Sequence, residues 1–281
     1  MSSFLFVLVL GAALCHAAWN AALKVRVDPA IAITLISVAA GIIAVPALPA
    51  FGSPHPASWP YLAASLAIHL FYYIWLAEAY RTADLGQVYP IARGSAPLIT
   101  AAGSSLIFGE HLVVLAWLGI ALLTMGVMLL SVRGGRQGAV FNGRAVGFAL
   151  ATAATISAYT LVDGRGARLS QGAHAYAAWL FVLDGVMMAV YGWVRQREGI
   201  AAVPAKAYVI LLGGGALSLA SYWIAIWAMS LAPVPLVAAV RETSVLFAAV
   251  IGVVLLKEPL LAPRILAAVL VVCGLALLRL A

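Results

Sequence analysis

The sequence predicts an all-α integral membrane protein with ten transmembrane helices, arranged as two inverted five-helix repeats. Three observations predict it. The chain has 281 residues, of which 65% are hydrophobic and only 9% charged, whereas a soluble domain carries roughly a quarter charged residues. Apolar runs of about 20 residues, the length that crosses a bilayer, recur between short breaks. The chain also matches itself at a shift of 148 residues. Ten spans of about 20 residues use about 200 of them, leaving too little for a soluble domain of useful size. With nine Asp and Glu, the composition excludes both an ordinary soluble enzyme and a disordered chain.

The spans fall at 4–23, 30–50, 58–80, 85–107, 112–132, 144–163, 173–194, 206–230, 233–254 and 261–280. Asp28-Pro29 closes the first, Ser53-Pro54-His55-Pro56 the second, Arg133-Gly134-Gly135-Arg136 the fifth and Lys257-Glu258-Pro259 the ninth. Each must be a helix, because lipid offers no partner to a free backbone amide. The opening stretch resembles a signal-peptide core. No Lys or Arg precedes it, and Leu14 before Cys15 does not suit lipoprotein cleavage, so it reads as a retained first helix. Cys15 and Cys273 both sit in apolar runs and suggest neither a disulfide nor a metal cluster.

At the 148-residue shift, Trp75 falls on Trp223, Arg93 on Arg241, Glu110 on Glu258, Leu112 on Leu260 and Gly126 on Gly274, without a gap. Near a shift of 140, Trp19-Asn20 falls on Tyr159-Thr160. Chance explains matches of Leu or Val. It explains much less well an intramembrane Arg and a loop Glu matching at one offset. The organisation is therefore a first repeat over 1–132, a cytoplasmic connector over 133–143 and a second repeat over 144–281. An odd number of spans per repeat inserts the second upside down. Such repeats recur in transporters, with the binding site at their interface near the midplane.

Loop charges give the orientation. Lys24, Arg26, Arg81, Arg133, Arg136, Arg144, Arg195, Arg197, Lys206, Lys257 and Arg264 fall on the side of the odd-numbered loops, and Arg165, Arg168 and Arg279 on the other. Eleven against three puts the odd loops in the cytoplasm and both termini outside. The net charge of +7 is thus an orientation signal, and no nucleic-acid partner is expected.

Arg93 and Arg241 lie near the middle of the fourth and ninth spans. A cation at that depth costs at least about 2.5 kcal/mol and needs compensation. Glu242 follows Arg241, but adjacent helical residues point about 100° apart. Across a pseudo-symmetric interface, Glu242 reaches Arg93 and leaves Arg241 for an anionic ligand group. The competing reading is a buried lock that only holds the repeats together. Pro90 and Pro97 bracket Arg93, with Gly94 between them, and predict a bent fourth span with free backbone groups beside the Arg. In the ninth span, Pro233 and Pro235 stand only at the start.

His16 and Asn20 share a helix face beside Trp19, and His69, Tyr72 and Tyr73 stand in the third span. Ser221, Tyr222, Trp223 and Trp227 are their counterparts in the eighth. Together they form an aromatic, hydrogen-bonding wall suited to an amphiphilic organic ligand. The alternative is an interfacial aromatic belt, which suits Tyr80 best. His69 reads more readily as a packing residue than as a proton carrier, although its ordinary titration range allows the latter. Asp184, mid-span in the seventh, must pair with a cation or stay protonated, and is the candidate for a coupling proton. Glu78 is close to a helix end and reaches water. Gly103, Ser104, Gly119, Gly213, Gly214 and Gly215 read as close-packing positions. No phosphate-binding loop, HExxH or Ser-His-Asp set is present, so ATP-driven transport and hydrolytic chemistry are not expected.

The first span reads His16-Ala17-Ala18-Trp19-Asn20-Ala21-Ala22-Leu23-Lys24. The fourth and ninth spans end in Gly109-Glu110 and Lys257-Glu258-Pro259. With the two five-helix repeats, these features resemble the EamA-like type of the drug/metabolite transporter superfamily over essentially the whole chain. The segment Tyr89-Pro90-Ile91-Ala92-Arg93-Gly94 also resembles a subgroup associated with phosphonate use. The resemblance implies alternating access around a central cavity that accepts small metabolites, amino acids or nucleotide sugars. Small multidrug members use a Glu in the first helix, and this first helix has no acid.

The expectation is a secondary carrier, not an enzyme, in a bacterial inner membrane with both termini periplasmic. It acts as monomer or homodimer, without cofactor or metal, on a small organic metabolite with an anionic group. The expected substrate contacts are Arg93, Arg241, Glu242, Asn20, His16, Trp19, His69, Tyr72, Tyr73, Tyr89 and Ser221. A proton-coupled exporter of amphiphilic or aromatic compounds, and a membrane enzyme or lipid-handling protein, are the alternatives.

Overall fold

The computed structural model describes residues 1–22, 27–82, 85–132, 143–254 and 262–281. The helices are α1 (Ser3–Ala22), α2 (Pro29–Ala44), α3 (Ala47–Phe51), α4 (Trp59–Thr82), α5 (Leu85–Phe108), α6 (Val114–Val132), α7 (Gly143–Leu169), α8 (Ala173–Arg195), α9 (Arg197–Ala201), α10 (Ala205–Leu231), α11 (Val234–Arg241), α12 (Ser244–Val254) and α13 (Ala262–Leu280). The connector 133–142, the basic residues Lys24 and Arg26, and the motif Lys257-Glu258-Pro259 lie outside the described residues. So do the side chains of Glu78, Tyr80, Tyr89 and Pro90.

Local chemistry sets the helix ends. Asp28 caps α2, its Oδ1 accepting from the amides of Ala30 at 2.9 Å and Ile31 at 3.3 Å, with Pro29 pre-set at the first helical position. The second expected span stops early, at Ala44. Pro46 restarts the chain as the short α3, which ends at Gly52 with φ +69°. The ninth expected span is also two helices, interrupted at Glu242 and Thr243. Among the described residues, six stretches are long and apolar enough to cross a membrane: Ser3–Asn20, Val146–Leu169, Ala173–Arg195, Ala205–Leu231, Val234–Ile251 and Pro263–Leu280. Pro29–Ala44 and Val114–Leu129 are shorter apolar helices. The 24-residue α4 carries His69, Tyr72 and Tyr73, and the 24-residue α5 carries Arg93.

Helices pair across the chain's two halves: α1 with α10, α4 with α7, α2 with α8 and α6 with α13. Without a hydrophobic drive between helices in lipid, small residues let backbones approach. A Cβ on Gly126 would lie 2.8 Å from the Ala267 carbonyl, and one on Gly274 the same distance from the Gly119 carbonyl, which locks α6 to α13. On α2 and α8, a Cβ on Gly41 would lie 2.8 Å from the Cα of Gly185. Gly119, Gly103 and Gly215 are close-packing positions, as their sequence suggests, whereas a Cβ on Gly213 would meet open space. That correction has a simple cause: three consecutive glycines point around a helix, so they cannot all face one neighbour. Ser104 serves a carboxylate, described below, rather than a helix contact.

Candidate functional site

Each half contributes a wall to a central cavity of ≈ 90 Å³. His16 and Trp19 on α1, Ser37 on α2, and His69, Tyr72 and Tyr73 on α4 come from the first half. Tyr159 on α7, Phe181 and Asp184 on α8, Ser218, Ser221 and Tyr222 on α10, and Arg241 at the end of α11 come from the second. The aromatic wall is continuous. The His69 ring stacks on Tyr159 with centroids 4.4 Å apart, and Tyr159 meets both Tyr72 and Tyr222 edge-on at 5.8 Å. Rings that interlock in this way hold one another's rotamers, so the wall is pre-formed.

Two hydroxyl–carboxylate sets adjoin it. Tyr73 donates to Asp184 Oδ2 at 3.3 Å and shares a 3.2 Å hydrogen bond with Ser37. Asp163 is fully buried and accepts from Tyr176 at 2.9 Å and Tyr222 at 2.5 Å. The sequence reading missed Asp163, which stands at the last position assigned to its span. The α7 helix continues to Leu169, which moves this acid from the span's edge into its interior. A carboxylate 13 residues before Tyr176, across a tight turn, was the available signal.

The two arginines have different surroundings. Arg93 is 3% exposed, its Nε lies 2.9 Å from Glu242 Oε2, and its Nη2 donates to Ser244 at 3.2 Å. This ion pair joins α5 of the first half to the interrupted ninth span of the second. Arg241 is 5% exposed and lines the cavity. Its guanidinium sits 4.9 Å above the Tyr222 ring. Among the described residues it has no hydrogen-bond or ion-pair partner, and its Nε is buried without one. Arg93 and Glu242 are not among the described residues that line the cavity. Neither is Asn20, whose amide donates to the His16 carbonyl one turn back at 2.8 Å. Ser221 does line it, and also donates to the Ala12 carbonyl at 2.8 Å, fastening α10 to α1. Tyr89 falls outside the described side chains.

The fourth and ninth spans differ in continuity. The α5 helix runs from Leu85 to Phe108 through Pro90, Gly94 and Pro97, because neighbouring helices can re-satisfy carbonyls freed by proline. The break instead follows Arg241. There the Glu242 amide bonds to the carbonyls of both Ala238 and Ala239, and the Thr243 hydroxyl takes the Val240 carbonyl at 2.7 Å. Such back-bonding tightens and bends a helix. It turns Glu242 toward Arg93 and leaves Arg241 at a helix end facing the cavity.

The cavity's two ends differ. Toward the α1–α2 and α8–α9 connections lies an open vestibule of ≈ 980 Å³, lined by Asp28, Arg195, Gln196, Arg197 and Glu198 among others. Ile33 and Tyr73 line both spaces. At the opposite helix ends, Arg168 Nη2 lies 2.6 Å from Glu110 Oε1 and donates to the Ala232 carbonyl at 2.9 Å, while Nε donates to Met229 at 3.0 Å. Glu110 also accepts from the Ser104 hydroxyl, and from the Val234 amide at 3.2 Å, at the N-terminus of α11, where a negative charge is favoured. This cluster ties α5, α7, α10 and α11 together on the side away from the vestibule. Among the described residues no group of three or more His, Cys, Asp or Glu gathers as a metal site.

A pre-formed aromatic cavity between two helical halves, floored by a cation inside apolar helices, is the site of a membrane transport protein. The EamA-like transporter family model matches residues 3–132 and 143–280. The chain belongs to the EamA-like transporter family, of the drug/metabolite transporter superfamily, and is a multi-pass membrane protein. No curated protein matches the sequence. A solved structure described only as "Crystal structure of protein" is similar at 19% identity and TM-score 0.79, covering 99% of this chain and 96% of that one. That likeness shows the fold.

Proposed function

We propose that the chain is a secondary carrier that moves a small organic metabolite bearing an anionic group, by alternating access around the central cavity. One observation carries this reading: among the described residues, Arg241 faces the cavity without an ion-pair partner, because Glu242 pairs with Arg93. A desolvated guanidinium attracts a carboxylate or phosphonate strongly, and its planar fork can bind either group bidentately. Trp19, His16, Tyr72, Tyr73 and Ser221 then give the rest of the substrate its contacts, and Asp184 is placed to carry a coupling proton if transport uses one.

In this reading the two halves, 1–132 and 144–281 around the connector 133–143, each span the membrane five times with opposite orientation. The pairing of α1 with α10 and of α4 with α7 is what a two-fold relation would produce. The vestibule opens on the side of the odd loops, the cytoplasmic side of a bacterial inner membrane by the charge rule, so both termini are periplasmic. The Arg168–Glu110 cluster closes the other side, giving one-sided access as alternating access requires.

The test is counterflow in proteoliposomes. A carrier gives saturable counterflow of organic acids and discriminates against amines lacking an acid group. Non-saturable flux without counterflow would indicate a channel and would overturn the reading.

A further inference from the structure

His16 and Trp19 both line the central cavity, and the hydrogen bond between them fixes what the imidazole can offer it. They stand three residues apart on α1, so their rings share a helix face. The rings meet edge-on, with centroids 5.2 Å apart and planes at 85°. Trp19 Nε1 donates to His16 Nδ1 at 3.2 Å. An indole N–H can only donate, so Nδ1 accepts, and a neutral imidazole that accepts at Nδ1 carries its one hydrogen on Nε2. Among the described residues no protein group accepts from that Nε2–H. The charges of Arg93 and Arg241 both reach this imidazole, and Arg241 lines the same cavity. Two contacts on α10 hold His16 and Arg241 in register. Ser221 donates to the Ala12 carbonyl, one turn before His16. The next residue, Tyr222, carries the Arg241 guanidinium 4.9 Å above its ring. The first half thus supplies an oriented neutral donor and the second half a cation, at one cavity.

Resting on the carrier reading above, we propose that His16 binds the substrate's anionic group together with Arg241, rather than the substrate's body. One oxygen of a carboxylate or phosphonate meets the guanidinium and another accepts from the His16 Nε2–H. Trp19 is a positioning residue: its indole N–H selects the tautomer that donates into the cavity. Two separate donors, one charged and one neutral, suit a group with two or more acceptor oxygens.

The test is isothermal titration of the purified chain in detergent with 3-phenylpropionate, 3-methylbutanoate and ethylphosphonate, which gives Kd values that an unfolded fraction does not alter. Glutamine places its amide nitrogen near the position of imidazole Nε2, whereas asparagine reaches only as far as Nδ1. His16→Gln is therefore expected to keep the affinity for the tightest of these acids within about threefold, and His16→Asn to weaken it about tenfold. Trp19→Phe is expected to weaken it about fivefold in the wild-type chain but less than about twofold in His16→Gln, where no tautomer is left to select. A Trp19 that only packs would cause the same loss in both backgrounds. Equal affinity in His16→Asn and wild type overturns the proposal. So does equal loss in His16→Gln and His16→Asn, or an additive double variant of Trp19→Phe with His16→Gln. If an acid binds and Arg241→Gln abolishes that binding in any of these cases, the carrier reading stands and only the roles of His16 and Trp19 fail. If none of the three acids binds, both fall.

Discussion

Removing the carboxylate from the Arg93–Glu242 pair tests whether this pair is a structural lock. In Glu242→Gln, a guanidinium 3% exposed inside apolar helices keeps its charge but loses the negative charge centred 2.9 Å away. Breaking a buried pair by deleting one partner costs about 3–5 kcal/mol, while replacing both partners with well-packed apolar groups is often close to neutral. Arg93→Met and Glu242→Gln are each expected to cost roughly 3–5 kcal/mol, and the double variant to cost no more than either single one. Denaturant unfolding in detergent micelles, followed by helical circular dichroism, reads all four proteins. Substrate binding by the double variant is expected to survive, because Arg241 is untouched. Additive losses, or a cost below about 1 kcal/mol for Glu242→Gln, would refute the assignment of Arg93 to Glu242.

Four further outcomes are expected. Gly41→Ala forces a Cβ to 2.8 Å from the Gly185 Cα, so α2 and α8 must separate. It should cost about 1–3 kcal/mol, read as a lowered unfolding midpoint. Gly213→Leu, which meets open space, should leave that midpoint unchanged. Arg168→Gln removes the ion pair with Glu110 and the caps on Met229 and Ala232. In a background lacking Cys15 and Cys273, it should raise labelling of a cysteine placed at Ser218 by an impermeant maleimide added from the far side, and unchanged labelling would remove the cluster from closure. Asn20→Ala should change transport less than twofold, since that amide is spent on the His16 carbonyl.

Much of the architecture was legible because lipid restricts the backbone to few solutions. Apolar length, Pro and Gly breaks and the self-match located most helices within a few residues. Opposed repeats also suggested that Glu242 would reach Arg93 rather than its neighbour Arg241. Less legible were features set by a few local hydrogen bonds. Pro90 and Pro97 suggest a bend, and α5 stays one helix through them, whereas Thr243, which back-bonds at the break in the ninth span, carries no strong signal. Asn20 sits among site residues in sequence and is nevertheless consumed within its own helix. Asp163 stood at an assumed span end, and its two tyrosine donors come from α8 and α10, which only tertiary packing brings together. The partnership of Arg168 with Glu110 joins positions 58 apart in the chain, within 2.6 Å, and no periodicity points to it.

The central claim is that Arg241 is, among the described residues, a cavity-lining cation with no ion-pair partner. Equilibrium binding of an accepted acidic substrate, compared between wild type and Arg241→Gln in the same detergent, tests it most directly. Affinity is expected to fall at least a hundredfold, about 2.7 kcal/mol, with helical content unchanged and with partial recovery in Arg241→Lys. Equal affinity in wild type and Arg241→Gln would contradict it.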